Sequence, residues 1–503
     1  MNSAENSLKL VRLGIDTQQE LIVFVPENCF IYKSEGFEAA IQIVVSLHDR
    51  AIVATLNIVQ SDILTGCEAS LSESAWEKIG AVEGDYIRLS HAPPLTSLGY
   101  VRSKIHGNKL TAHEFGAIIK DIVAGNYSNI HLASFITACG HDNLSIQEIV
   151  YLTKAMTNIG EQLHWDNPVI VDKHSVGGIP GNRTTPIVVA IVAAAGLIIP
   201  KTSSRAITSP AGTADTIETM TKVTLCASDI QAVVAREGGC MVWGGALGLS
   251  PADDILIRVE RVLDLDPVGQ MIASVLSKKA AIGATHVVID IPVGPTAKIR
   301  SSHDFLKLKD YFSRVGKALG LHIYVLKSDG HQPLGKGVGP SLEAKDILAV
   351  LRNDHNAPVD LKEKSILLAS ILMEFSEAVP IGKGLDLAKQ LLKNGTALNK
   401  FMAICEAQGG FKEPSTAPLT YDICATSAGI VTEIDNRSLA KVAKLAGAPH
   451  DPTAGIEFFS KIGTQVELGQ VLYRIHSESK GALEYSCAYA LSMHSIVKMN
   501  GDK

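Results

Sequence analysis

Three periods of apolar residues follow one another along the chain. From Leu8 to His91, short β-branched runs such as Glu20-Leu-Ile-Val-Phe-Val25, Ile41-Gln-Ile-Val-Val-Ser46 and Ala51-Ile-Val-Ala-Thr-Leu56 alternate with polar turns. That pattern predicts the strands of a small β-rich domain, closed by Pro93-Pro94. From there to about Trp165 the apolar spacing becomes three and four. Thr111-x-x-Glu114 and Ser145-x-x-Glu148 each precede such a run as a capping box, so the segment is predicted all-helical. Beyond Trp165, apolar strands (Pro168-Val-Ile-Val-Asp172, His286-Val-Val-Ile-Asp-Ile291, Leu321-His-Ile-Tyr-Val-Leu326) alternate with amphipathic helices, which predicts a mostly parallel sheet covered by helices. After a loop from Gly409 to Pro418, Ala428 to Ile434 and Gly463 to Leu472 read as strands and turns of a last module. The expected fold class is α/β multidomain. It comprises a β-rich N-terminal domain (1–92), an all-helical domain (93–166) joined by further helices from the central region, a large α/β domain (167–410) and a β-rich C-terminal module (411–503).

Composition narrows the class of protein. The 503 residues suit about three domains of ordinary size. The formal net charge of -6 argues against duplex nucleic acid as the main partner, since phosphate neutralisation asks for a basic excess. The most apolar run, Ile187 to Ile199, is 13 residues long, holds Gly196 and lies between Pro186 and Pro200. It is too short to span a bilayer and reads as a buried helix followed by a strand. The eight cysteines form no C-x-x-C pair, and Met1 to Lys9 has no apolar core of a signal peptide. Reduced cysteines and a cytoplasmic setting are therefore expected.

In open α/β sheets ligands bind at the carboxyl ends of strands, and two stretches at such ends carry chemistry. In Val171-Asp-Lys-His-Ser-Val-Gly-Gly-Ile-Pro-Gly-Asn-Arg-Thr-Thr185, a strand delivers Lys173, His174 and Ser175, two glycines allow close backbone approach, and a helix starts near Thr184. An ammonium, hydroxyls and backbone N–H groups at a helix start are what a phosphate oxygen needs, without a metal. A Gly-rich turn with a surface lysine is the plainer alternative, and the Walker pattern is absent. Lys201-Thr-Ser-Ser-Arg-Ala-Ile-Thr-Ser-Pro-Ala-Gly-Thr-Ala-Asp215 packs hydroxyls and two cations after an apolar strand, as ligand loops do; an exposed solvated loop reads the same. Gly335-Lys-Gly-Val-Gly339 lacks the acidic ribose contact of a dinucleotide fingerprint.

The stretches Asp172 to Gly178, Ser204 to Thr213, Leu249-Ser-Pro-Ala-Asp253, Ile272-Ala-Ser-Val-Leu-Ser-Lys-Lys279 and Gln332-Pro-Leu together resemble the thymidine phosphorylase family. The N-terminal β-rich extension, Pro180-Gly-Asn-Arg183 and Ser204 to Thr213 look more like the subgroup that includes AMP phosphorylases. The resemblance implies a helical domain facing an α/β domain, a homodimer or higher homo-oligomer, and reversible phosphorolysis of an N-glycosidic bond. Orthophosphate is then a co-substrate, and no cofactor or metal is implied. Carried over, Lys173, Ser175, Thr185, Ser203 and Thr213 would surround phosphate, with Gly178 allowing close approach. Ser204, Arg205, Ala206, Ile207, Thr208 and Ser209 would complete the substrate loop. His174, Ser274 and Lys278 match base contacts, and Arg258 matches a further one approximately.

Asp266 in Leu263-Asp-Leu-Asp-Pro267 matches the proton donor of the AMP-type subgroup, and a helix N-cap is its alternative reading. Lys298 matches a nucleotide contact of that same subgroup. The substrate implied is a nucleoside of thymidine type or a nucleoside 5′-monophosphate (AMP, CMP or UMP), with no nucleic-acid polymer and no membrane as partner. A magnesium-dependent phosphoribosyltransferase such as anthranilate phosphoribosyltransferase, and a scaffold protein that keeps the fold, are the competing classes. Retention of Lys173, Ser175 and Thr213 speaks against the scaffold.

Overall fold

The computed structural model describes residues 7–37, 42–140, 142–206, 209–265, 267–493 and 496–500. The chain divides into two compact units, Met1–Ala138 and Cys139–Lys503.

In the first unit the β-branched runs close a six-stranded barrel in the order Leu8–Leu10, Glu68–Leu71, Ile22–Pro26, Arg50–Val59, Gln42–Leu47 and Tyr86–His91. Strict alternation of buried and half-exposed positions along Gln42–Leu47 sends Ile43, Val45 and Leu47 inward, as a period of two requires. Three helices follow, Thr96–Ile105, Ala112–Ala124 and Asn129–Ala138. The second starts with the expected capping box: Glu114 N donates to Thr111 Oγ1, and the Glu114 carboxylate accepts from Thr111 N at 2.7 Å.

The second unit opens with the helix Ile146–Ile159, whose Ser145–Glu148 capping box is likewise formed. This helix packs on Val268–Ala281, where the Thr157 hydroxyl donates to Ser277 O at 3.5 Å. The centre is a parallel sheet. His322–Asp329, His286–Val293 and Val171–Ser175 pair in that order, Ile199–Ser203 pairs with Gly239–Trp243, and a parallel bridge between Ile170 and Ile198 joins the two sets. The Val171–Ser175 strand begins three residues later than the apolar run at Pro168 suggests. Asn167 Oδ1 takes the Val169 N–H, and the Ile170 N–H goes to Thr285 Oγ1, so the run is tied off locally before the ladder starts. The shift places Lys173, His174 and Ser175 inside the ladder, opposite Val288, Ile289 and Asp290.

The apolar run from Ile187 is a helix, Thr184–Ala194, buried on every side and followed by the strand Ile199–Ser203. It sits against the sheet at the centre of a core that takes in the helices Pro340–Leu351, Val359–Phe375 and Thr396–Ala407. A last module combines Leu419–Cys424, Gly455–Phe458 and Val471–Ser477 in an antiparallel sheet, with Gln465–Val466, Gly429–Ile434 and Val497–Met499 in another. The short strand Gly337–Val338 from the α/β part joins the first of these along Gly455–Phe458. No described helix is long and apolar enough to cross a membrane.

Because Ile191 is fully enclosed at the centre of this core, Ile191→Ala is expected to destabilise the second unit by about 2–5 kcal/mol. Urea unfolding followed by circular dichroism measures it, and a loss well under 1 kcal/mol would show that the helix is not the packed centre.

Candidate functional site

The Lys173 side chain is enclosed, with only 1% of the residue exposed. Its ammonium donates to Thr184 Oγ1 at 2.8 Å and Thr185 Oγ1 at 3.4 Å, the first two residues of the helix that the strand leads into. Between strand and helix the chain turns at Gly178 and Gly181. Gly178 has φ +102°, and a Cβ there would lie 2.3 Å from Lys298 N, so this turn is pressed against the Lys298 main chain. Gly181 packs in the same way on the carbonyls of Leu334 and Gly337. Burial pulls the Lys173 ammonium down to about 7; Asp290 opposes the fall, while Lys364 and Arg183 add to it. An ammonium poised near neutrality gains most from an arriving anion.

Ser175 lies next to Asp290 in register and donates to Asp290 Oδ2 at 2.9 Å, while Asn182 Nδ2 donates to Ser175 Oγ at 2.9 Å. The second polar stretch comes in beside it. Ser203 is the last residue of its strand, and its hydroxyl is buried with no hydrogen-bond partner among the described residues, which an incoming oxygen would relieve. Asp215 Oδ2 accepts from Ala206 N at 2.7 Å and Gly212 N at 2.9 Å and so folds the loop back on itself. Ala214 N reaches Ser204 O, and the Ser209 hydroxyl donates to Ala211 O. Thr213 begins the next helix, and its Oγ1 accepts from Arg183 Nη1 at 3.0 Å. Arg205 is held by Glu218 and Asp215 and stacks 4.7 Å from the Trp243 ring, so its guanidinium is committed to the loop's own framework. Ile207, Thr208 and Asp266 lie outside the described residues.

His174 lies near four lysines. Burial and the charges of Lys279, Lys201, Lys173 and Lys278 hold its imidazole neutral, well below the ordinary histidine value. Ser274 and Lys278 stand one turn apart on Val268–Ala281, with Lys278 Nζ 3.5 Å from Ser274 Oγ and ion-paired with Asp253. Arg258 lies half-buried on the neighbouring helix Pro251–Leu263. Lys298 is exposed beside Gly178. Two residues on, Arg300 joins Lys327, Ser328 and His331 around a cavity of about 660 Å³ at the carboxyl ends of two sheet strands.

The sequence reading missed the groups that support these residues. Asp290 and Lys364 face each other at 2.9 Å beneath Ser175. Arg183 pairs with the buried Glu343 and, through Nη2, holds Ala211 O at 2.9 Å. Asp172 is sealed between Lys201 and Lys279 at 3.1 and 2.6 Å. Asp290 had a signal, a charge inside an apolar strand; Lys364, on a distant helix, had none.

Residues 167–398 match the family described as "Glycosyl transferase family, a/b domain", 99–160 the "Glycosyl transferase family, helical bundle domain", and 430–493 the "Pyrimidine nucleoside phosphorylase C-terminal domain". A relative from Legionella pneumophila (strain Paris) is 54% identical over 98% of this chain and 95% of its own length. One from Ralstonia nicotianae is 52% identical over 97% and 96%. Both bear the name "Putative thymidine phosphorylase". The chain belongs to the thymidine phosphorylase family. As a member it is a pentosyltransferase, and the match to these relatives extends through the N-terminal barrel. Among solved structures, anthranilate phosphoribosyltransferase from Thermus thermophilus superposes with a TM-score of 0.52 at 18% identity, over 61% of this chain and 98% of its own. That likeness is one of fold.

With its imidazole held neutral by burial and four lysines, His174 is expected to show no titration in the ordinary histidine range around pH 6.5. Proton and nitrogen NMR of the ring, assigned with His174→Gln, reads this, and a midpoint near the ordinary value would contradict the described environment.

Proposed function

We propose that the protein catalyses reversible phosphorolysis of the N-glycosidic bond of thymidine, giving thymine and 2-deoxyribose 1-phosphate. The observation that carries the reading is the buried Lys173 ammonium bonded to Thr184 and Thr185 at the carboxyl edge of a parallel sheet, where Ser175 and Ser203, the latter with no hydrogen-bond partner for its hydroxyl among the described residues, end their strands. In this reading one phosphate oxygen, held by Lys173, Ser175, Ser203 and Thr213, bonds to C1′ as the bond from C1′ to the base nitrogen breaks. The bonding pair leaves with the base, which then takes up a proton. Lys278 and neutral His174 meet the charge developing on the base, and Asp266 is the donor that the AMP-type pattern supplies. Holding phosphate against C1′ removes the entropy cost of encounter, and fixed donors on both sides stabilise the separating charges. Ammonium and hydroxyl donors bind phosphate without a metal, so turnover is expected to require orthophosphate and to survive EDTA.

A second reading, phosphorolysis of a nucleoside 5′-monophosphate to ribose 1,5-bisphosphate, is favoured by one feature. Lys298 is exposed on the segment that Gly178 abuts, close in sequence to Arg300 at the cavity edge. Incubation with orthophosphate and, separately, thymidine, uridine, AMP, CMP and UMP, followed by chromatography of the free base, decides between them. Release that ignored phosphate and needed magnesium would refute both.

Lys173→Ala is expected to raise the phosphate KM and to lower kcat/KM by roughly 10²-fold, because it removes the cradle's buried charge. Steady-state kinetics at varied phosphate measures it; an unchanged phosphate dependence would place Lys173 outside the site. Lys298→Ala separates the substrates. A lysine on a 5′-phosphate contributes about 1.5–3 kcal/mol, so kcat/KM for a nucleotide should fall by about 10- to 150-fold while thymidine turnover is unchanged. Equal losses on both substrates would remove Lys298 from 5′-phosphate recognition.

A further inference from the structure

Asp290 is fully buried and lies opposite Ser175 in the ladder. Its Oδ2 accepts the Ser175 hydroxyl and faces Lys364 Nζ, each at 2.9 Å, and its Oδ1 accepts the Ser328 hydroxyl at 2.5 Å. Lys364 Nζ also donates to Ser328 Oγ at 3.1 Å. Three adjacent strands and the helix Val359–Phe375 thus converge on one carboxylate directly beneath a residue expected to bind phosphate. A carboxylate beside a dianion is repulsive, so its place here asks for a compensating role.

We propose that Asp290 is a positioning residue of the phosphate pocket, acting with Lys364 and Ser328 to hold the Ser175 side chain in place and to set negative charge beside the Lys173 cradle. The inference rests on the phosphorolysis reading above. Ser175 has a single hydroxyl hydrogen, and without phosphate it points at Asp290. A phosphate oxygen can accept that hydrogen only when it swings off the carboxylate. Lys364 lowers the energy of that swing: its ammonium already sits on Oδ2 and Ser328, so Asp290 keeps a charged partner when Ser175 leaves. Asp290 is also the leading group opposing the burial that draws Lys173 down to about 7. A neutral side chain in its place would leave Lys173 uncharged at lower pH and Lys364 without its counter-ion.

The test is phosphate binding to the full chain, without nucleoside, by calorimetry from mildly acidic to mildly alkaline pH, on wild type, Asp290→Asn, Lys364→Met and Lys364→Arg. Asp290→Asn and Lys364→Met are expected to weaken phosphate roughly 10- to 100-fold. In Asp290→Asn the loss of affinity with rising pH should also begin at lower pH than in wild type, because the group that raises Lys173 is gone. Lys364→Arg should recover most of the affinity, and the KM for the nucleoside should stay within about threefold in all variants, changes of well under 1 kcal/mol. A purely structural role would lower thermal stability without moving the pH midpoint. Wild-type affinity with an unmoved midpoint in Asp290→Asn overturns the proposal, as does full affinity in Lys364→Met, which carries the test if Asp290→Asn does not fold. Absence of phosphate binding by wild type would instead overturn the phosphorolysis reading itself.

Discussion

The structure depends on the burial of interlocked lysines, an arginine and carboxylates at one edge of its parallel sheet. Among the described residues, Lys201 and Lys279 pair there with Asp172, Lys364 with Asp290 and Arg183 with Glu343, while burial draws both Lys173 and Lys279 down to about 7. Each carboxylate is fully or almost fully enclosed, and each is bound to at least one of the cations. Among the described residues the Lys173 ammonium is hydrogen-bonded only to hydroxyls. Burying an ammonium without a counter-ion is costly, and its proton becomes easier to lose.

The rest of the unit packs around that edge. The Gly178 and Gly181 turns are wedged against Lys298 and against Leu334 and Gly337, with Leu334 N bonded to Pro180 O at 3.1 Å. The Leu334 segment is fixed in turn by Asp346 Oδ2, which accepts from Lys336 N and Gly337 N, and by Lys461 of the last module, which donates to Gly335 O at 2.7 Å and pairs with Asp360 at 3.0 Å. Through these contacts the C-terminal module holds the loop on which the turn from Gly178 to Gly181 rests. Arg183 plays the same part on the other side, joining Glu343 to Thr213 and Ala211.

What was legible in the sequence was local. Capping boxes at Thr111 and Ser145, the enclosed helix after Pro186 and the alternating strands each follow from a few neighbouring residues, and all are present. The strand, glycine turn and helix start that carry Lys173, Ser175 and Thr184 were legible because they lie within a few positions of one another. Lys364, Glu343 and Lys461 were not, because each reaches the site from an element far along the chain, and an amphipathic helix shows the same polar positions whether its lysine meets water or Asp290. Arg205 illustrates the converse. Its motif promised a ligand contact, and in the structure its guanidinium pairs with Asp215 and Glu218 of the helix that follows the loop.

Proton uptake on phosphate binding tests the central claim most directly. Lys173, drawn down to about 7 by burial, is largely uncharged on the alkaline side of that value, and a bound dianion must recharge it. Calorimetry of orthophosphate binding at mildly alkaline pH, repeated in buffers of different ionisation enthalpy, should show protons taken from the buffer, and the uptake should vanish in Lys173→Met. Binding heats that do not depend on the buffer in wild type, or an uptake that persists without Lys173, would contradict the account.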